Sequence, residues 1–146
     1  MKITIDESPD CGQTEVQIRC ARMDEQVLKM LALLRAFDQK ITGTKDGQTF
    51  ILDARDILYA DSVDKKTFLY TAEGVFETPL RLYELEERLG PSDFFRASKA
   101  VVVNFGQIRS LRPEFGGRML ATMANGEIVY VSRQYVPVIK EKLGMK

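Results

Sequence analysis

Phe94-Phe95-Arg96-Ala97-Ser98-Lys99-Ala100-Val101-Val102-Val103-Asn104 is the stretch on which the fold of this chain turns. An aromatic pair leads into a short polar turn that carries a cation, a hydroxyl and an ammonium. Val101, Val102 and Val103 follow; they are β-branched, favour a strand, and as an unbroken apolar run predict burial on both faces. The turn must then sit where the chain leaves a packed core. A buried Lys99 would be costly without a partner, so its ammonium is expected to project outward. Two meanings stay open from these residues alone: a binding loop on a rigid apolar base, or an ordinary solvated turn.

Outward from this stretch the chain is β-rich on both sides. Thr49–Leu52, Ile57–Ala60, Thr67–Thr71 and Val75–Thr78 are expected strands before it, with Lys45-Asp46-Gly47 and Glu73-Gly74 as turns. Asp61 to Lys66 is expected to be a six-residue polar connection. A helix is expected over Leu80–Leu89, with Leu82, Leu85 and Leu89 on one stripe and Gly90-Pro91 as its stop. After the stretch, Ile108–Leu111, Met119–Thr122 and Glu127–Val131 are expected strands, joined by Phe115-Gly116-Gly117 and the hairpin signal Asn125-Gly126. A last helix is expected from Ser132, a good N-cap, through Leu143.

The first 43 residues look different. Lys2–Asp6 and Glu15–Cys20 alternate with period two around Ser8-Pro9-Asp10-Cys11-Gly12, which predicts a small hairpin over residues 2–20. From Asp24 the period becomes helical, with Val27, Met30, Leu31, Leu34 and Phe37 on one face and Gly43 as the stop. That face is too apolar to stand free, so the helix is expected to pack on its own sheet or on a second copy. The expected fold class is mainly antiparallel β with a few helices (α+β). It comprises a hairpin-and-helix element over 1–43, a candidate dimerisation or packing element, and a β domain over 44–146.

Composition narrows the chemistry. The 146 residues suffice for one domain with a real core, and 45% hydrophobic with 29% charged residues is ordinary for a soluble globular protein. There is no histidine, which removes the usual neutral-pH base and the commonest metal ligand. The two cysteines, Cys11 and Cys20, have neither zinc spacing nor the density of a disulfide scaffold, so a reducing compartment is expected. No secretory leader is legible, and no apolar run approaches the roughly 20 residues that span a bilayer. A cytoplasmic protein is expected. No phosphate loop and no catalytic constellation occurs; Asp53, Asp56, Asp61 and Asp64 lie near one another in sequence without an assignable role. The chain is not expected to be an enzyme, and no metal or cofactor is expected.

The charge distribution is more informative than its sum. Lys plus Arg and Asp plus Glu are 21 each, but residues 91–146 carry nine basic and four acidic side chains. Such an asymmetry suits one face that meets an anionic partner. Lys65 and Lys66 share one expected loop, Arg96 and Lys99 lie on another beside Ser98, and Arg133 with Gln134 directly follows a strand. Lys and Arg suit phosphates and guanine edges, and hydroxyls and amides add phosphate contacts.

Four pieces in this order resemble a known family: Ile57–Ser62, Leu80–Leu89, Phe95–Asn104 and the ending Val129-Tyr130-Val131-Ser132-Arg133. Together, over residues 44 to 144, they resemble a LytTR-type DNA-binding domain. The resemblance implies an elongated antiparallel β fold that reads DNA with loops in successive major grooves, in bacterial transcription regulators that bind directly repeated sites on double-stranded DNA. It places base-reading positions at Lys66-Thr67, Lys99 and Arg133, and backbone contacts at Lys65, Ser98 and Gln134. Where the family often has histidine, this chain has Ser98 and Lys66 or Thr67; Ala100 replaces a frequent serine. Those departures bear on the preferred DNA sequence rather than the fold. Residues 1–43 are too short for a receiver domain, which implies the stand-alone type, and such proteins are often accompanied by a regulatory membrane protein. A homodimer is expected from the helix over 24–41. The alternative is an interaction module of the same fold that has lost DNA binding; zero net charge and the absent histidines favour it, while Lys99 and Arg133 favour DNA.

Overall fold

The computed structural model describes residues 1–12, 14–89 and 94–144. The chain divides into two units, Met1–Leu33 and Leu34–Lys146. In the first, residues 1–12 and 14–24 contain no strand, so the hairpin expected over 2–20 is not formed. The physical reason is coverage. Ile3, Ile5 and Val16 are exposed, and two short strands with no third strand or helix on their apolar face are marginal in water. The helical period is real: α1 spans Glu25–Asp38, with Asp24 Oδ1 accepting the Val27 N–H at 3.0 Å as its N-cap. Val27 is buried, whereas Leu28, Leu33 and Leu34 are exposed. The side chain of Phe37 lies outside the described residues.

α1 ends before the expected stop because Gly43 belongs to a strand. β1 (Lys40–Lys45) pairs with β2 (Gln48–Asp53) across a two-residue turn, Asp46-Gly47, in which both residues have positive φ. Gly43 is there for close approach. A Cβ at this position would lie 2.7 Å from Phe76 Cβ.

The larger sheet continues with β3 (Ile57–Val63), β4 (Lys66–Thr71) and β5 (Gly74–Thr78). Helix α2 (Leu82–Leu89) comes next, and β6 (Phe94–Ser98) and β7 (Val101–Asn104) complete the sheet, in the order β2-β1-β5-β4-β3-β7-β6. The Gly90-Pro91 stop expected for α2 lies outside the described residues. A second sheet, β10-β9-β8, is built from β8 (Ile108–Pro113), β9 (Met119–Met123) and β10 (Ile128–Val131), and α3 (Val136–Lys142) follows it. The pairings between these strands are antiparallel. The fold is thus mainly antiparallel β with three α-helices among the described residues.

Two cores lie on opposite faces of the central strands. On one, α2 sets Leu82, Leu85 and Leu89 against Ile57, Ala60, Leu69, Phe94 and Val102. On the other, the second sheet and α3 set Met119, Met123, Val131 and Ile139 against Leu58, Phe95, Ala97 and Val103. The double burial explains the valine run: Val102 faces one core and Val103 the other, as Phe94 and Phe95 do. Burying each valine stabilises the sheet by about 1.5–3 kcal/mol. Asn104 ends the run and is 5% exposed. Its Nδ2 donates to the carbonyls of Ile57 (2.8 Å) and Arg55 (3.3 Å), and its Oδ1 accepts the Gly106 N–H at 3.0 Å.

Candidate nucleic-acid interface

Three turns meet at one end of the central strands. The first is tighter than its composition suggests. Asp61–Val63 continue β3 and Lys66 opens β4, so only Asp64 and Lys65 form the turn, both with positive φ (50° and 65°). Val63 and Lys66 are register partners, which makes a two-residue hairpin rather than the expected six-residue connection. Left-handed backbone at a non-glycine residue costs roughly 1–2 kcal/mol, so flanking structure must hold it. Arg81, just before α2, does part of this: its Nη1 donates to the Lys65 carbonyl at 3.2 Å.

The second turn is Lys99-Ala100, with Ser98 and Val101 as partners across it. Arg96 and Ser98, expected to lie in the turn, belong to β6, with an irregularity between them. Arg96 fastens the turn from behind: Nε donates to Glu86 Oε1 and Nη1 to the Lys99 carbonyl, each at 2.6 Å. The Ala100 carbonyl in turn accepts the Ser62 N–H at 2.9 Å, tying this turn to β3 beside the first.

The third element begins where β10 ends. Ser132 is the N-cap residue of the 3-10 turn that follows, but its side chain makes no capping hydrogen bond there. Its N–H (2.8 Å) and its hydroxyl (3.2 Å) both donate to the Ala97 carbonyl, which anchors the chain beside Ser98. Arg133 and Gln134 then open a 3-10 turn, Arg133–Tyr135, ahead of α3. The aliphatic stem of Arg133 lies against Gly117, in the turn between β8 and β9.

The expected site residues therefore separate. Lys65, Lys66, Lys99, Arg133 and Gln134 are exposed, and Ser98 is half-buried. Thr67 is 4% exposed; it points into the sheet because it alternates with the exposed Lys66, so it presents no side chain to a groove. Lys66 Nζ is 3.9 Å from Glu77 Oε1 with both side chains largely in solvent, a weak pair. Among the described residues, Lys65, Lys99 and Arg133 make no side-chain ion pair or hydrogen bond, whereas Arg96 is committed to the protein. Arg81 and Gly117 join the site unannounced by any local pattern, since their partners lie 16 residues away.

The carboxylates do not gather. Arg55 bonds Asp53 through both its guanidinium and its backbone N–H, holding that carboxyl down at about 2. Burial raises Asp61, although Tyr70 Oη donates to its Oδ2 at 2.9 Å; Tyr70 is itself pushed up to about 12 by burial and by this bond. No group of three metal-ligating side chains occurs among the described residues, and no helix there is long and apolar enough to cross a membrane.

An antiparallel β domain that presents unpaired cations on turns tied together at one sheet end defines a class: a β scaffold with a loop-borne cationic edge. The family is shown by sequence. The model for the LytTr DNA-binding domain matches residues 47–144, and the chain belongs to that family, one of transcription regulation and not of catalysis. A protein of Staphylococcus aureus strain NCTC 8325 / PS 47, named as an HTH-type transcriptional regulator, is 28% identical over 147 residues, covering 99% of each chain. One from strain MSSA476, named likewise, is 29% identical over 135 residues, covering 91% of each. A solved structure from Bacillus cereus, described as the LytTr DNA-binding domain of a methyl-accepting/DNA response regulator, superposes with a TM-score of 0.69. It is 26% identical and covers 73% of this chain and 98% of its own. The relatives' names speak of a helix-turn-helix. Among the described residues here, no two α-helices follow one another without intervening strands.

Proposed function

We propose that this protein regulates transcription by reading double-stranded DNA with the three turns, each entering a major groove. Lys99 and Arg133 read base edges, Lys66 assists, and Lys65, Ser98 and Gln134 contact phosphates. The observation that carries this is the contrast among cations at one sheet end: Arg96 is spent on internal hydrogen bonds, whereas Lys65, Lys99 and Arg133 are exposed with no partner among the described residues. Unpaired Lys and Arg on fixed turns suit phosphate oxygens and the O6/N7 edge of guanine. Family membership supports the same assignment. Fluorescence titration of promoter-region duplexes should show log affinity falling linearly with log salt, by about 0.9 per phosphate contacted. Salt-independent binding, or none to any such duplex, would leave the interaction-module alternative instead.

Binding to directly repeated sites as a homodimer belongs to the same proposal. Support comes from α1, whose Leu28, Leu33 and Leu34 are exposed, and linked half-sites gain avidity without new contacts. Sedimentation should show a dimer at tens of micromolar protein, and Leu28→Glu with Leu33→Glu should abolish it; a monomer both free and on two-site DNA would refute it.

A further inference from the structure

We propose that Gly117 is a positioning residue for Arg133, and that its missing side chain is what aims the guanidinium. The inference rests on the proposed reading of DNA by the turns and adds to it the residue that orients one reader. Val131 and Met119 are the last register partners between β10 and β9. Two residues further along each strand, position 133 comes over position 117. A Cβ on Gly117 would lie 3.2 Å from Arg133 Cγ, 3.3 Å from Cδ and 3.6 Å from Nε. The arginine stem is therefore laid along bare backbone over most of its length.

The turn that supplies this backbone is closed by its own hydrogen bond, Glu114 N–H to the Arg118 carbonyl at 2.8 Å. Behind Arg133, Ser132 is held by two bonds to the Ala97 carbonyl. The stem thus starts from a fixed backbone and lies over a second fixed segment, while the guanidinium makes no hydrogen bond or ion pair with a described residue. A long side chain confined in this way loses less freedom on binding, so its planar fork arrives already oriented. Recognition of a base by two parallel hydrogen bonds tolerates little error, of the order of 0.5 Å and 10–20°. A Cβ at 117 would shift the stem by a few tenths of an ångström near its root, and the lever of the side chain enlarges that shift at the fork.

The neighbouring glycine is a built-in control. Gly116 and Gly117 both have positive φ, 85° and 84°, so alanine at either is strained, yet a Cβ on Gly116 meets nothing within 4 Å. The full chain would first be used to enrich a site from a pool of random-sequence duplexes. Each base pair of the enriched duplex would then be changed singly, and affinities measured by fluorescence anisotropy for wild type, R133A, G116A, G117A and G117A/R133A.

R133A should lose a discrimination of about 5- to 150-fold at one base position. G117A should lose at least about a third of that factor on a logarithmic scale at the same position, leave the other positions unchanged, and add nothing in the R133A background. G116A should leave every position within about twofold of wild type. Should circular dichroism show either alanine variant unfolded, G116N and G117N replace them, because asparagine tolerates this backbone region. Equal profiles for the two glycine variants, or a loss spread evenly over all positions, would overturn the role of Gly117. Enrichment of no duplex, or R133A without a position-specific loss, would overturn the reading of DNA itself and this inference with it. That result is obtained without any glycine variant.

Discussion

Arg96→Ala separates a cation that builds the interface from one that touches DNA. The Arg96 side chain is 24% exposed and its partner Glu86 33%, so the pair is neither buried nor free in water. Two charge-assisted hydrogen bonds are lost, one to the Glu86 carboxylate and one to the Lys99 carbonyl, each 2.6 Å long. Such bonds contribute roughly 1.5–3 kcal/mol each when shielded, and about 1–2 kcal/mol each where solvent reaches them. The sum is about 2–4 kcal/mol, and a domain of this size loses about 4 °C of melting temperature per kcal/mol. Thermal denaturation followed by circular dichroism should therefore show a drop of roughly 8–16 °C. Arg96→Lys, which keeps the charge but cannot make both bonds at once, should fall between. In DNA titrations at a temperature where the variant is folded, the salt slope should stay at the wild-type value, because Arg96 neutralises no phosphate. Discrimination should weaken where Lys99 reads, since its turn has lost its anchor. A melting temperature within about 2 °C of wild type, together with a salt slope lower by about one unit, would refute this assignment and make Arg96 a phosphate contact.

Three further outcomes follow from the same geometry. Asn104→Ala removes the hydrogen bonds that the buried Asn104 side chain donates to the Ile57 carbonyl and accepts from the Gly106 N–H; it should destabilise the fold by about 2–4 kcal/mol in urea denaturation, and an unchanged midpoint would contradict the role given to Asn104. Lys65→Ala should weaken binding to all duplexes alike and lower the salt slope by about one unit, whereas a loss confined to one base position would make Lys65 a base reader. The Asp53 carboxyl, held down at about 2 by Arg55, contributes stability that is fully present above the ordinary carboxylate value of about 4 and lost as pH falls through about 2. The melting-temperature gap between wild type and Asp53→Asn should accordingly be widest above about pH 4 and close toward about pH 2; a gap independent of pH would mean that the charge contributes nothing.

Much of the β architecture was legible because its signals are local. β2, β4, β5, β8, β9 and β10 lie where segments with apolar, β-branched or aromatic residues are bounded by turns containing Gly47, Gly74, Gly116, Gly117 and Gly126, all of them glycines with positive φ. The misreadings share one cause. Gly43 looks like a helix stop, and only Phe76, 33 residues away, shows that it marks a close approach between strands. Asp61–Lys66 looks like a polar loop, and only pairing with β4 and β7 makes Asp61 to Val63 a strand. Lys2–Asp6 alternates like a strand, yet alternation without a surface to cover it forms no ladder.

By itself, the amino-acid order determined the family, the antiparallel β class, the double burial of Val101–Val103 and the chemical identity of the cations that could meet an anion. These properties depend on side-chain type, periodicity and turn chemistry within a few residues, which the chain carries wherever it is placed. Which cation is committed and which is left over was decided only by the tertiary structure. Arg96 and Arg133 are the same residue type, each beside a serine-bearing segment at a strand end. One meets Glu86 on α2; the other lays its stem along the bare backbone of Gly117 and pairs with none of the described residues. That difference is set by cross-strand register and by the packing of α2, which bring together residues far apart in sequence, and no local pattern encodes a partner that the chain reaches only by folding.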